Sequence, residues 1–116
     1  MTADCIFCQI AAKKIPVPLV HEDETVVAIK DKFPQAPVHL LVIPKKHVTG
    51  LNELSEKELS LISHIFSVAQ KLSRQFKIAE PGYRTVFNTN PQGGQSVFHL
   101  HLHILGGKQL GPSMVG

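Results

Sequence analysis

The sequence predicts an α+β fold built on a largely antiparallel sheet, and three observations carry that prediction. Short apolar runs with alternating or near-continuous patterning recur along the chain. Only one long stretch, starting at Ser55, has helical spacing. Strands and helix do not alternate strictly, which argues against a parallel βαβ arrangement. Hydrophobic residues make up 43% of 116 positions, enough for one compact core and no more. A single domain is expected, with its core at about 5–107 and a tail at 108–116.

The elements follow in order. Asp4 is placed to cap a short helix carrying Cys5 and Cys8 on one side, and Pro16 and Pro18 end it. Leu19 to His21 and Thr25 to Lys30 read as a hairpin around the acidic turn Glu22-Asp23-Glu24. Asp31 to Pro37 is a loop with two prolines, and Val38 to Pro44 is a central strand. Ser55-Glu56-Lys57-Glu58 is a capping box. The long helix follows, with Leu59, Ile62, Phe66 and Ala69 toward the core, supported by Ile65 and Leu72, and it ends near Phe76. Tyr83 to Asn88 is a fourth strand. A polar loop, Thr89 to Gln95, leads to the fifth, which Gly106-Gly107 stops.

Composition excludes several classes. Twelve basic against nine acidic residues give a charge of +3, with the basic residues scattered. That balance tolerates an anionic ligand but is too weak for a nucleic-acid protein. No apolar run reaches membrane-spanning length, and the start has no signal-like segment, so a cytoplasmic location is the expectation.

The fifth strand holds the most informative segment, Gly93-Gly94-Gln95-Ser96-Val97-Phe98-His99-Leu100-His101-Leu102-His103-Ile104. Alternation places His99, His101 and His103 on one side of a strand and the aliphatic residues on the other. Gly93 and Gly94 allow positive φ and an N–H concavity for phosphate oxygens, with the Ser96 hydroxyl beside it. A single metal ion held by all three histidines is disfavoured, while an adjacent pair could still contribute to one. Ligating nitrogens must lie about 2.0–2.1 Å from one point, whereas the Cα atoms of His99 and His103 stand about 13 Å apart. A phosphorus centre suits the row better. A neutral imidazole is a competent nucleophile, and neighbouring imidazoles discourage each other's protonation. His101, in the middle, is the candidate nucleophile, with His103 to stabilise phosphoryl charge.

His-Leu-His-Leu-His-Ile-Leu resembles the motif of the histidine triad (HIT) superfamily, alternating histidine with hydrophobic residues. Pro34-Gln35-Ala36-Pro37-Val38-His39, Val42-Ile43-Pro44-Lys45-Lys46-His47, Tyr83-Arg84 and Gly93-Gly94-Gln95-Ser96-Val97 extend the likeness to the Hint branch. The diadenosine-polyphosphate hydrolase branch follows its triad with Pro-Arg, where this chain has Gly106-Gly107. The resemblance implies a HIT-like fold with five strands, one long helix and a short N-terminal helix, its sheet extended across a homodimer. It implies a purine nucleoside phosphoramidase acting on adenosine 5′-phosphoramidates and aminoacyl adenylates, with no cofactor in catalysis. His101 is then the nucleophile, His103 meets the α-phosphate, and His39 supports the row from a neighbouring strand. Ser96 lies near the leaving group, Gly94 and Gln95 line the phosphate turn, Asn88 reaches toward phosphate or ribose, and Asp31 accepts the ribose hydroxyls. The chain departs from the branch at Ile29-Lys30, where Phe-His is usual, and lacks a Trp-Pro-Pro tail.

Cys5-x-x-Cys8 supplies two of the four ligands zinc prefers, and His47 and His99 are the candidates for the other two. Structural zinc, free thiols and a redox pair are the readings open to it. His21 and His64 are read as solvated. A nucleotide-binding adaptor, a dinucleoside polyphosphate hydrolase and a zinc-dependent hydrolase are the competing functions. The last of these has no acidic residue after Glu80 to draw on.

Overall fold

The structure is a computed structural model that describes residues 4–112. Its elements are helix α1 (Ile6–Ala11), strands β1 (His21–Glu22), β2 (Val26–Lys30) and β3 (Val38–Pro44), helix α2 (Leu59–Gln75), and strands β4 (Tyr83–Val86) and β5 (Leu102–Gly106). The strands form one sheet in the order β1-β2-β3-β5-β4, and every neighbouring pair is antiparallel. The expected α+β class and five-stranded sheet are observed. The first three residues and the last four of the expected tail lie outside the described residues.

Alternation along β2, β3 and β5 gives the sheet two apolar faces. Val26, Ala28, Leu40, Val42, Leu102 and Ile104 pack under α2, against Ile65, Val68, Ala69 and Leu72. Val27, Ile29, Leu41 and Ile43 face the other way and are covered by Phe7 and Ile10 of α1. Pairing sets Leu41 opposite His103, and His39 opposite Leu105. The histidines of β3 and β5 therefore share the α1 face.

Several local expectations are corrected. Cys5, not Asp4, is the N-cap of α1, and its Sγ accepts the Cys8 N–H at 3.4 Å. The first strand begins at His21 rather than Leu19, and the fourth ends at Val86. The capping box forms, with the Ser55 N–H on Glu58 Oε1 at 2.9 Å, but Glu56–Glu58 is a 3₁₀ turn leading into α2. The buried stripe of α2 is rotated from the one expected. Leu59 and Phe66 are exposed, and Phe66 instead meets Phe87 edge-on at 5.9 Å.

The fifth strand is the largest departure. It begins only at Leu102, where pairing with Val42 ends the ladder. Pro44 has no N–H to continue that ladder. The chain from Val97 to His101 bends away, and the Leu100 N–H donates to Val48 O at 2.7 Å.

The two edges of the sheet differ. β1 is two residues long, and Glu22 on it carries ion pairs to Lys13 at 2.8 Å and Lys45 at 3.1 Å. β4 is longer and leaves Tyr83 exposed.

Candidate active site

Because the histidine segment joins β5 only at Leu102, its three imidazoles divide between two clusters. His99 turns toward the cysteines. His101 and His103 stay together, with ring centroids 4.9 Å apart. His39, on β3, lies 5.2 Å from His103. Phe7 of α1 stands edge-on to His101 at 4.9 Å and to His99 at 5.9 Å, closing the row from above.

Backbone groups set the tautomers. His101 Nδ1 lies 2.7 Å from His99 O. A carbonyl only accepts, so Nδ1 carries the hydrogen and Nε2 keeps a bare lone pair. The Gln35 N–H donates to His39 Nδ1 at 3.0 Å. The hydrogen of neutral His39 is therefore on Nε2, which faces His103 Nδ1 at 2.9 Å. His103 Nδ1 accepts, so its own hydrogen is on Nε2. One imidazole of the pair thus offers an electron pair and the other a donor, an arrangement suited to attack on a phosphoryl group and stabilisation of its oxygens.

Burial keeps these rings neutral. It lowers His101, against the opposing pull of the His99 carbonyl and Asp31. Burial, then the neighbouring His101 and His39, hold His103 down to about 4. Burial likewise lowers His39, with Asp31 opposing. Asp31 Oδ2 is 3.3 Å from His39 Nε2, and Oδ1 accepts the Phe33 N–H at 2.8 Å. This pins the carboxylate at the end of the row while each oxygen retains a free lone pair.

The glycine-rich turn differs from its expected form. Only Gly94 has positive φ, at 89°; Gly93 closes a 3₁₀ turn, and Asn90 takes φ 62°. The N–H groups of Gly93 and Gln95 donate to Asn90 O, and that of Gly94 to Pro91 O. These three amides are used within the turn, so the expected N–H concavity is not built from them. A Cβ on Gly94 would sit 3.8 Å from Asn88 Cγ, which brings Gly94 and Asn88 together. The buried Gln95 side chain clamps the turn. It accepts the Asn90 N–H at 2.8 Å and donates to Thr49 O and Val97 O at 2.8 and 3.2 Å. Ser96 is exposed and shares a cavity of about 480 Å³ with Cys5 and His47.

Cys5, Cys8, His47 and His99 form the second cluster, their ligand atoms all within 4.8 Å of one another. Cys5 Sγ and Cys8 Sγ lie 3.3 and 3.5 Å from His99 Nδ1, Cys8 Sγ is 3.3 Å from His47 Nδ1, and the two Nδ1 atoms are 3.1 Å apart. Tetrahedral zinc with nitrogen and sulfur ligands has ligand–ligand edges of about 3.3–3.8 Å, close to these separations. His99 Nε2 donates to Pro44 O at 2.7 Å, which leaves its Nδ1 bare and aimed at the thiols. The residues fit a zinc ion. Asp31, His39 and His103 also lie within 4.8 Å of one another. There the Gln35 amide keeps a hydrogen on the very nitrogen of His39 that would have to ligate, so the donor chemistry does not fit.

Sequence reasoning missed four groups of this site: Phe7, the Gln35 amide, the Pro44 carbonyl and the His99 carbonyl. It also misread His21, whose side chain is only 11% exposed, as solvated, whereas His64 is 40% exposed as expected. Both Nε2 atoms lie 2.8 Å from Asp23 Oδ2, tying α2 to the first hairpin.

Comparison with known proteins agrees with the geometry. A family described as "Scavenger mRNA decapping enzyme C-term binding" matches residues 4–114. The purine nucleoside phosphoramidase of Escherichia coli K12 is 41% identical over 98% of this chain and 96% of its own. An uncharacterized HIT-like protein of Chlamydia muridarum is 51% identical over 91% of this chain and 83% of its own. A histidine triad protein from Clostridium difficile superposes with a TM-score of 0.93 at 44% identity, covering 96% of both chains. A HIT family hydrolase from Clostridium thermocellum gives 0.95 at 42% identity, covering 99% of this chain and 100% of that one. With the imidazole row, its carboxylate and these relatives in agreement, the chain belongs to the histidine triad family.

Proposed function

We propose that the protein is a nucleotide hydrolase that cleaves adenosine 5′-phosphoramidates at the P–N bond, and aminoacyl adenylates more broadly, through a covalent nucleotidyl intermediate on His101. The observation that carries this reading is the bare Nε2 of His101, fixed by the Nδ1 hydrogen bond to His99 O. The phosphoramidase named for the Escherichia coli relative supports the substrate class.

In the first step Nε2 attacks the α-phosphorus, the P–N bond breaks, and the amine departs after taking a proton from solvent. In the second, water attacks the same phosphorus and returns a proton to solvent, the P–Nε2 bond breaks to restore neutral His101, and a nucleoside monophosphate is released. His103, donating from Nε2, steadies the phosphoryl oxygens, and His39 holds its ring in that tautomer. Asp31 takes the ribose hydroxyls. Ser96 serves the leaving group, and Asn88, held against Gly94 in the turn clamped by Gln95, serves phosphate or ribose.

Cys5, Cys8, His47 and His99 hold a structural zinc, which would cross-link α1 to the segments flanking β3 and β5. The open edge of β4 is where a second copy adds its sheet to form a homodimer.

Mass spectrometry of protein quenched during turnover of an adenosine phosphoramidate tests the mechanism. A transient adenylyl adduct on His101, absent from His101→Ala, is expected. Turnover without that adduct would overturn it.

A further inference from the structure

Ser96 opens onto more than the phosphate turn. The cavity of about 480 Å³ that it lines is also bounded by Asp4, Ile6, Thr49, Val97 and Phe98, beside Cys5 and His47 of the second cluster. Ile6 and Phe98 are large apolar side chains left nearly half exposed. Single apolar residues scattered over a surface need no account, but these two share one concavity with Val97. Thr49 is half-buried and Asp4 exposed. Among the described residues that line the cavity, Asp4 is the one carboxylate, and none is a lysine or an arginine. Apolar walls with a few polar groups are the usual make-up of a small-molecule site.

The cavity adjoins the histidine row. Val97 packs on the cluster of Phe7, Ile10, Leu41 and Ile43, the α1 side of the sheet. Ile6 precedes Phe7, whose ring meets His101 at 4.9 Å. Cys5 Sγ lies 3.3 Å from His99 Nδ1, and the His99 carbonyl holds His101. None of the described lining residues belongs to β4, so a second copy added at that edge leaves the cavity open. In a displacement at phosphorus the attacking and leaving atoms stand roughly in line. The departing amine therefore points away from His101 Nε2, and its substituent continues past Ser96.

We infer that this cavity is the leaving-group subsite, and that it selects amines with an apolar stem ending in a cationic group, the stem against Ile6, Val97 and Phe98 and the cation toward Asp4. This rests on the phosphoramidase reading above and narrows its leaving group. A methylene stem lies along apolar surface while its charged head stays in water, so an alkyl diamine has the form required. Asp4 is exposed, so its attraction is modest and screened by salt, and the apolar walls give the larger share of the selection.

Steady-state hydrolysis of four adenosine 5′-phosphoramidates by the full chain tests this. Their leaving amines are methylamine, hexylamine, 1,6-diaminohexane and 6-aminohexanoate, each a primary alkylamine at the nitrogen bonded to phosphorus. The hexylamine compound is expected to show a kcat/KM about tenfold above the methylamine compound. The diamine should exceed the aminohexanoate about threefold at low salt. Ile6→Ser and Phe98→Ser should each shrink the first ratio, and Asp4→Asn the second. Ratios taken within one variant are unaffected by any general loss of active protein. Equal kcat/KM across the four compounds, or both ratios unchanged in the variants, would overturn the subsite. Release of AMP from none of the four would overturn the phosphoramidase reading itself, and the subsite with it.

Discussion

His39 Nε2 hands its hydrogen to His103 Nδ1 across 2.9 Å, and the Gln35 amide leaves it no other tautomer. Replacing His39 with Phe removes the donor and frees the His103 ring to turn over. We expect turnover to fall about a hundredfold, with substrate affinity less affected. His39→Gln, which can still donate, should recover part of the loss. Equal defects in the two variants would show that only the volume of His39 matters.

The His103 environment also sets a pH limit on stability. In the folded chain this imidazole is held at about 4 by burial and its neighbours, below an ordinary histidine near 6.5. Between those values the unfolded chain takes up a proton that the native state refuses. Its contribution is therefore present above about pH 6.5 and lost as pH falls toward 4. Melting curves across this range should show a steeper decline for the wild type than for His103→Gln. Parallel curves would contradict the assignment.

Metal removal should act on the fold first. Dialysis against a chelator is expected to lower the melting temperature by on the order of 10 °C, and zinc to restore it. Cys8→Ala should reproduce the loss. Initial rates well below the melting temperature should persist, because His101 is held by a backbone carbonyl, not by a ligand atom. A prompt loss of turnover on chelation would refute this.

Asp23 accepts hydrogen bonds from His21, His64 and the Thr25 and Val26 amides. Burial pushes its carboxyl up, but these bonds outweigh that and hold it well below the usual range. Asp23→Ala should cost about 2 kcal/mol in denaturant unfolding and leave turnover unchanged. His64→Ala, which removes one partner, should cost less.

Gly106 ends β5 against Ile78. A Cβ there would lie 3.0 Å from Ile78 Cδ1 and 3.1 Å from its Cβ. Gly106→Ala should destabilise by about 1–3 kcal/mol, and less in an Ile78→Val background, which lacks Cδ1. Strict additivity would mean that the clash is relieved elsewhere.

The sheet was legible because Val26 to Lys30 and Val38 to Pro44 carry their burial pattern in their composition, and Ser55 with Glu58 marks a helix start. The metal cluster was legible because cysteine and histidine declare their chemistry. What escaped notice was set by backbone groups. The Gln35 amide, the Pro44 carbonyl and the His99 carbonyl decide which nitrogen of each imidazole is free, and peptide groups leave no mark on a motif. The bend from Val97 to His101 was hidden for a related reason: alternation persists there, but the partner strand has run out at Pro44. Phe66 was misplaced because its aromatic partner, Phe87, lies far along the chain.

The unequal edges of the sheet bear on assembly. A two-residue border guarded by Lys13, Glu22 and Lys45 offers nothing for another chain to extend. Among the described residues, strand addition has one open end, at Tyr83 to Val86, and the proposed meeting of two copies there would consume it. Association by this route would then stop at a pair and not run on into a fibre.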